Sequence, residues 1–396
     1  MHLVDFTTFS EPRMHLVDLT MFYAAEGGGV STYLNAKSRW LARHAPMRHT
    51  ILSPNVDPGE SGGHLRVPGV ALPGFHGYRM PLSVAAIARR LRQLQPDLVE
   101  VGDAGHCAWA ALRVRDRLRI PAVAFYHSDL PRLVENRFGA HAAHLTRRYL
   151  FRLYKQFDLV LAPSQLMVEQ LHAMGVHGVL HQPLGIDCTV FHPARRDVGL
   201  RAELGLAPGV RLLVYAGRFT ADKKLDVLLA ALDRLGPGYH LLMVGGDVAP
   251  GMARPRLSWL PFQRDQHALA RILASCDLLV HPGDCETLGL IVLEAMGCAL
   301  PVVATSSGGV AELVDPQVGL LARPNCPASL AAAIHEISRR DLAALGANAR
   351  RKVERNFAWD QVFAQLMARY AALLARGTAA GAPIEPVSVS DPSACQ

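Results

Sequence analysis

The sequence predicts an α/β protein made of two doubly wound, mostly parallel sheet domains in tandem, facing a central cleft. Three observations lead there. Short apolar runs alternate with amphipathic stretches from Met14 onward. The alternation breaks once, at residues 183–193, in the turn-rich PLGIDCTVFHP, and then begins again. At 396 residues and 50% hydrophobic composition, the chain carries enough apolar material for two cores.

In the first series the strand-like runs are LVDLTMF (16–22), HTILS (49–53), DLVEV (97–101), PAVAFY (121–126) and DLVLAPS (158–164). In the second they are RLLVYAG (211–217), HLLMVGG (240–246), DLLVHPG (277–283), PVVATS (301–306) and GLLA (319–322). Helix-like segments separate them, which is the pattern of βαβ units. The expected division is an N-terminal extension (1–13), an N-terminal domain (14–185), a C-terminal domain (186–356), a helix packing back toward the N-terminal domain (357–376), and a disordered tail rich in Gly, Ala, Pro and Ser (377–396). The extension is set apart because MHLVDFTTF at 1–9 is echoed by MHLVDLTMF at 14–22, and only the second copy runs into a glycine turn and a helix.

No apolar run reaches the roughly 18 residues of a membrane span, and the N-terminus lacks a signal pattern, so a cytoplasmic protein is expected. The seven cysteines are scattered and never spaced C-x-x-C, which reads as reduced thiols. The formal charge of +7 suits an anionic partner: a phosphate-bearing substrate, a lipid surface or nucleic acid. Nucleic acid is disfavoured, because no basic run is interleaved with aromatics. The 18 histidines are dispersed, with no H-E-x-x-H and no D-x-D nearby, so no metal site and no cofactor are expected.

The sequence at 281–305, HPGDCETLGLIVLEAMGCALPVVAT, is the strongest signal. A strand ends at His281, a turn follows, and Thr287 to Met296 read as a helix whose first turn suits a phosphate. Glu286 stands just outside that helix and Glu294 about two turns along it, so the two carboxylates can accept hydrogen bonds from hydroxyls on either side of a diphosphate. In GRFTADKKLDVLLAAL (217–232) a strand ends in glycine and a helix begins near Lys224; an Arg and a Lys five residues later can converge on one phosphate. GGGVSTY (27–33) opens a helix after the first strand, and its glycines permit close backbone approach to a ligand. It is not a dinucleotide fingerprint, since Thr32 stands where the last glycine belongs. His127, in FYHSDLPR, ends a strand and points at the cleft, with Asp129 and Arg132 close behind.

These stretches resemble glycosyltransferase family 4, whose fold is GT-B: two Rossmann-like domains across a cleft. The resemblance covers residues 14 to about 376 and is strongest in the C-terminal half, through the E-x7-E pattern of Glu286 and Glu294 and the G-R-x(4)-K pattern of Gly217, Arg218 and Lys223. It implies a retaining, metal-independent transferase that moves a hexose from a nucleotide-diphosphate sugar, GDP-mannose first and UDP-sugars next, to a glycan or lipid-linked acceptor. It makes the first domain acceptor-side and the second the donor domain. Glu286 then contacts the donor sugar, Glu294 the ribose, and the backbone of Thr287, Leu288, Gly289 and Leu290 the diphosphate. Arg218 with Lys223 or Lys224 meets the phosphates. Gly28 and Gly29 form the loop over the diphosphate and acceptor, His127 lies by the donor sugar, and Asp129 and Arg132 can meet the acceptor. A sugar-nucleotide epimerase or other GT-B enzyme, and a non-catalytic nucleotide-sugar-binding protein, are the alternatives. Eleven basic residues among the first 120 (Arg39, Arg43, His44, Arg48, Arg89, Arg90, Arg92, Arg113, Arg115, Arg117 and Arg119) suggest peripheral contact with the inner face of a membrane.

Overall fold

The computed structural model describes residues 14–23, 28–45, 47–56, 63–71, 78–246 and 254–378. The proposed extension 1–13, Gly27 and the tail beyond 378 lie outside the described residues. In chain order the strands are β1 (His15–Leu19), β2 (Arg48–Ser53), β3 (His64–Arg66), β4 (Gly69–Ala71), β5 (Arg79–Pro81), β6 (Leu98–Val101), β7 (Ala122–Phe125), β8 (Leu159–Ala162) and β9 (Val179–His181). They are followed by β10 (Arg211–Gly217), β11 (Tyr239–Gly245), β12 (Leu257–Pro261), β13 (Leu278–His281), β14 (Val302–Thr305) and β15 (Gly319–Ala322).

Two parallel sheets result, ordered β3-β2-β1-β6-β7-β8-β9 and β12-β11-β10-β13-β14-β15, while β4 and β5 form an antiparallel pair apart from both. Each order runs outward from its first strand, turns back, and continues on the other side, which is the doubly wound arrangement. The switch points lie between β1 and β6 and between β10 and β13, and ligands in such sheets bind beyond the carboxyl ends of the strands there.

Alternation along the strands sorts side chains between two layers. In the first sheet Leu16, Leu98, Val123, Phe125 and Leu161 belong to one buried cluster, and Val17, Val99, Ala124 and Val160 to the other. The helices Val84–Gln93, His106–Leu118 and Leu130–Tyr154 cover the Val17 face, while Gly29–His44 covers the Leu16 face. The Leu16 cluster continues into the second domain, through Leu212, Val214 and Leu279, and into the C-terminal helix Trp359–Thr378, through Phe363, Leu366 and Tyr370. The chain passes between the domains beside Ile186 and again beside Phe357, where the Ile186 N–H donates to the Phe357 carbonyl (2.8 Å) and the Trp359 N–H to the Ile186 carbonyl (3.1 Å).

Among the described residues no helix is long and apolar enough to cross a membrane. The six described cysteines are free.

Candidate functional site

The ends of β10 and β13, neighbours at the second switch point, deliver the residues that the two C-terminal motifs single out. Lys223 closes a short turn of 3-10 helix after β10, and its Nζ lies 2.5 Å from Glu286 Oε1 and 3.1 Å from Asp222 Oδ2. His281, at the end of β13, is buried, and its Nε2 stands 3.4 Å from the same Glu286 oxygen. Burial by itself would raise the Glu286 pKa; the Lys223 charge and His281 outweigh it and hold the carboxyl well below the usual carboxylate range. Lys223 is likewise held above its ordinary value, because Glu286 and Asp222 outweigh its burial.

Lys224 takes φ 52 and ψ 44, the left-handed region that glycine enters without cost, and turns the chain into the helix Leu225–Arg234. The geometry thus brings Lys223, not Lys224, to Glu286. Arg218 follows β10, with an exposed side chain that no ion pair engages among the described residues. A cation free of partners at a strand end is available to an anionic ligand.

The helix after Glu286 starts later than the sequence suggests, running Leu290–Gly297 rather than from Thr287. Gly289 causes the delay: its φ of 93 and ψ of 73 are not helical, and a Cβ there would sit 2.6 Å from Val310 Cγ2. The first helical turn, whose N–H groups are of the kind that can meet an anion, therefore begins at Leu290. Thr287 stays outside that helix and spans the cleft, its Oγ1 donating to the His127 carbonyl (3.1 Å), while Leu288 is buried. Glu294, 9% exposed, has no side-chain partner among the described residues, and burial pushes its pKa up to about 7.

The first domain supplies the opposite wall. A Cβ on Gly29 would lie 3.4 Å from Leu290 Cδ1, so this loop lies against the start of the Leu290 helix, and a Cβ on Gly28 would lie 3.7 Å from the Tyr78 hydroxyl. The His127 ring stacks on Phe125 with centroids 4.2 Å apart, and its Nε2 is buried without a hydrogen-bond partner among the described residues. Burial and the nearby Lys37 charge outweigh Asp18 and lower the His127 pKa to about 3, so the imidazole is neutral at physiological pH. Asp129 is occupied locally: it caps the helix Leu130–Tyr154 by accepting from the Arg132 N–H (3.2 Å). Arg132 reaches across the cleft, its Nε donating to Cys285 Sγ (3.0 Å) and its Nη2 lying 3.6 Å from Asp284 Oδ2. Further along, the Glu312 carboxylate accepts from the N–H groups of Gln165 (2.9 Å) and Leu166 (2.6 Å), gripping the first turn of a first-domain helix from the second domain.

Sequence reasoning missed His281, although its place at the strand end five residues before Glu286 was a signal. It also missed a buried cluster under His127. Asp18 on β1 and Glu100 on β6 are in register on neighbouring strands, and the fully buried Lys37 joins them, at 2.7 Å and 2.8 Å. His49 Nε2 meets the second Asp18 oxygen at 2.5 Å. Burial raises the Asp18 pKa, but Lys37 and His49 outweigh it and the net value is low; for Glu100 burial and Asp18 outweigh Lys37 and the net value is raised. A polar residue inside each of two otherwise apolar strand runs was the available trace.

The family model of Glycosyltransferase Family 4 matches residues 27–190, and that of Glycosyl transferases group 1 matches residues 210–340. The GDP-mannose-dependent alpha-mannosyltransferase of Mycobacterium tuberculosis (strain CDC 1551 / Oshkosh) is 30% identical over 354 residues, covering 83% of this chain and 89% of that one. The GDP-mannose-dependent alpha-(1-6)-phosphatidylinositol dimannoside mannosyltransferase of the same species (strain ATCC 25177 / H37Ra) is 29% identical over 387 residues, 91% of this chain and 97% of that one. In fold, the chain is similar to the sucrose-phosphate synthase from Thermosynechococcus elongatus, with a TM-score of 0.77 at 22% identity over 92% of this chain and 100% of that one. The two facing parallel-sheet domains are those of a GT-B nucleotide-sugar glycosyltransferase. Within that class, the chain belongs to glycosyltransferase family 4, the glycosyl transferases of group 1.

Proposed function

We propose that the chain transfers mannose from GDP-mannose, with retention of configuration and without a metal ion, to a glycan or lipid-linked acceptor. One observation carries the reading: Lys223, Glu286 and the start of the Leu290 helix come together at one switch point, where Arg218, exposed and without an ion pair among the described residues, follows β10. The names of the relatives support the choice of donor. The cations and the helix dipole would take up charge as the glycosidic bond to the diphosphate breaks. Glu286 would hold hydroxyls of the sugar, Glu294 those of the ribose, and the neutral His127 would accept or donate one hydrogen bond beside the sugar. The acceptor hydroxyl would attack from the face of the departing diphosphate, which takes its proton.

Contact with a lipid surface is part of the same reading, with the site on the inner, cytoplasmic face of the membrane. The fold divides the basic residues noted in the sequence: Arg39, Arg43 and His44 lie on the Gly29–His44 helix, on the Leu16 side of the sheet. Arg115 is engaged by Asp116 and by the Gln156 carbonyl. Arg89, Arg90, Arg92, Arg113, Arg117 and Arg119 remain exposed, on or next to two helices of the Val17 side. Exposed Leu82 lies just before the first of these helices and exposed Trp109 on the second, a mixture of basic and apolar groups that suits an anionic interface.

The test is mannose transfer from radiolabelled GDP-mannose in excess EDTA, using a mannolipid acceptor and NMR of the product anomer. An α-linked product formed at the same rate with and without chelator is expected. Dependence on added magnesium or manganese, an inverted product, or turnover of UDP-sugars alone would contradict the corresponding part of the proposal.

A further inference from the structure

His127 presents a buried Nε2 with no hydrogen-bond partner among the described residues, so packing sets the tilt of its ring. Two aromatic walls supply that packing: Phe125, stacked at 4.2 Å with 7° between planes, and Tyr33, 5.3 Å away at 58°. Phe125 is fixed by its own strand. Tyr33 instead sits on the Gly29–His44 helix and is fixed at its far end, where its hydroxyl donates to Glu100 Oε1 (3.0 Å) and accepts from Lys37 Nζ (3.2 Å). The other Glu100 oxygen accepts from the hydroxyl of Tyr370, on the C-terminal helix. The same helix packs Trp359 and Phe363 against the Tyr33 ring, at 6.2 Å and 5.8 Å.

The arrangement is costly to build. Asp18 and Glu100 stand opposite each other on adjacent strands, both buried, an acidic pair bridged by Lys37, with His49 on Asp18 and the Tyr33 and Tyr370 hydroxyls on Glu100. An apolar core of the same volume would hold the helices as well or better. What such a core would lack is a hydrogen-bonded seat that fixes where the Tyr33 ring points.

We propose that Tyr33 is a positioning residue for His127, and that Glu100 and Tyr370 hold Tyr33 in place, so that docking of the C-terminal helix is transmitted to the sugar site. The inference rests on His127 acting at the donor, as proposed above. Tyr370 makes no hydrogen bond or ring contact with His127 among the described residues and meets Glu100, so its influence has to pass through Glu100 and Tyr33.

Tyr370→Phe removes one hydroxyl and leaves the aromatic packing, and two readouts apply to the full-length chain. In protein labelled at histidine, the His127 ring resonance, assigned by its absence in His127→Asn, should shift in Tyr370→Phe whether or not GDP-mannose is turned over. With GDP-mannose as donor, kcat should fall about three- to tenfold at unchanged donor KM, and the same substitution in the His127→Asn background should cause no further loss. An unmoved resonance, a full kcat with only a lowered melting temperature, or a loss that adds fully to that of His127→Asn would overturn the proposal. If His127→Asn itself keeps full activity, the donor-site reading fails and the relay has no output, whereas an impaired His127→Asn beside a normal Tyr370→Phe sinks the relay alone. Should Tyr370→Phe fail to fold, Tyr33→Phe breaks the same link to Glu100 and is judged by the same outcomes.

Discussion

Glu294→Gln should make the ligand-free protein more stable and the nucleotide complex weaker. The Glu294 carboxyl is 9% exposed, has no side-chain partner among the described residues, and is raised by burial from the ordinary value of 4.5 to about 7. A raised folded-state value for an acid means that the folded protein binds more protons than the unfolded chain between those two pH values, so stability falls as pH climbs through the window and then levels off. The gap corresponds to about 3 kcal/mol at pH 8 and under about 1 kcal/mol at pH 5. Glutamine carries no charge and escapes that cost, though its amide is also left without a partner, so about 3 kcal/mol is an upper bound. Thermal melts of both proteins at the two pH values should show a gain of several degrees at pH 8 that shrinks at pH 5. GDP affinity should fall about ten- to a hundredfold, the loss of hydrogen bonds from ribose hydroxyls to a charged acceptor. Wild-type GDP binding should also strengthen as pH rises through about 7, as the carboxylate forms. A lower melting temperature at pH 8 together with unchanged GDP affinity would refute the reasoning.

Glu286→Ala should cut transfer about tenfold to a thousandfold, or roughly 1.4 to 4 kcal/mol, with the fold intact by circular dichroism; wild-type turnover would remove Glu286 from the site. In vesicle co-sedimentation the chain should pellet with anionic liposomes at low salt and be released at high salt, since each basic residue near the surface contributes about 1 kcal/mol and is screened. Protein left in the supernatant with anionic vesicles at low salt would favour a soluble acceptor.

The doubly wound architecture was legible because its central strands are continuous apolar runs such as RLLVYAG and DLLVHPG, buried on both faces by helices. The strands that escaped notice are peripheral. β3 and β9 have three residues each and close the edges of their sheet, and β12, half-exposed, carries Trp259 to the surface at 43% exposure. Such segments lack the apolar run that marks a central strand. The helix onset at Leu290 was hidden for another reason: a glycine in a helical window is ambiguous until the chain around it is known, and only Val310 pressing on Gly289 shows why that residue is there. The E-x7-E and G-R-x(4)-K spacings made the candidate site residues visible one by one, but not that Lys223 meets Glu286 across 63 residues of chain. The Asp18, Lys37 and Glu100 cluster was the least legible, because its members come from two strands and a helix and each alone is an unremarkable charge.

The central claim, that Arg218 and Lys223 hold a donor diphosphate at the β10–β13 switch point, is tested most directly by calorimetric titration of GDP and of guanosine into the wild type, Arg218→Ala and Lys223→Ala in EDTA. The account predicts that each substitution weakens GDP by about tenfold or more, about 1.4 kcal/mol, and leaves guanosine nearly unchanged, since both groups are assigned to the phosphates and neither to the nucleoside. Equal losses for GDP and guanosine, or undiminished GDP binding in both variants, would contradict it.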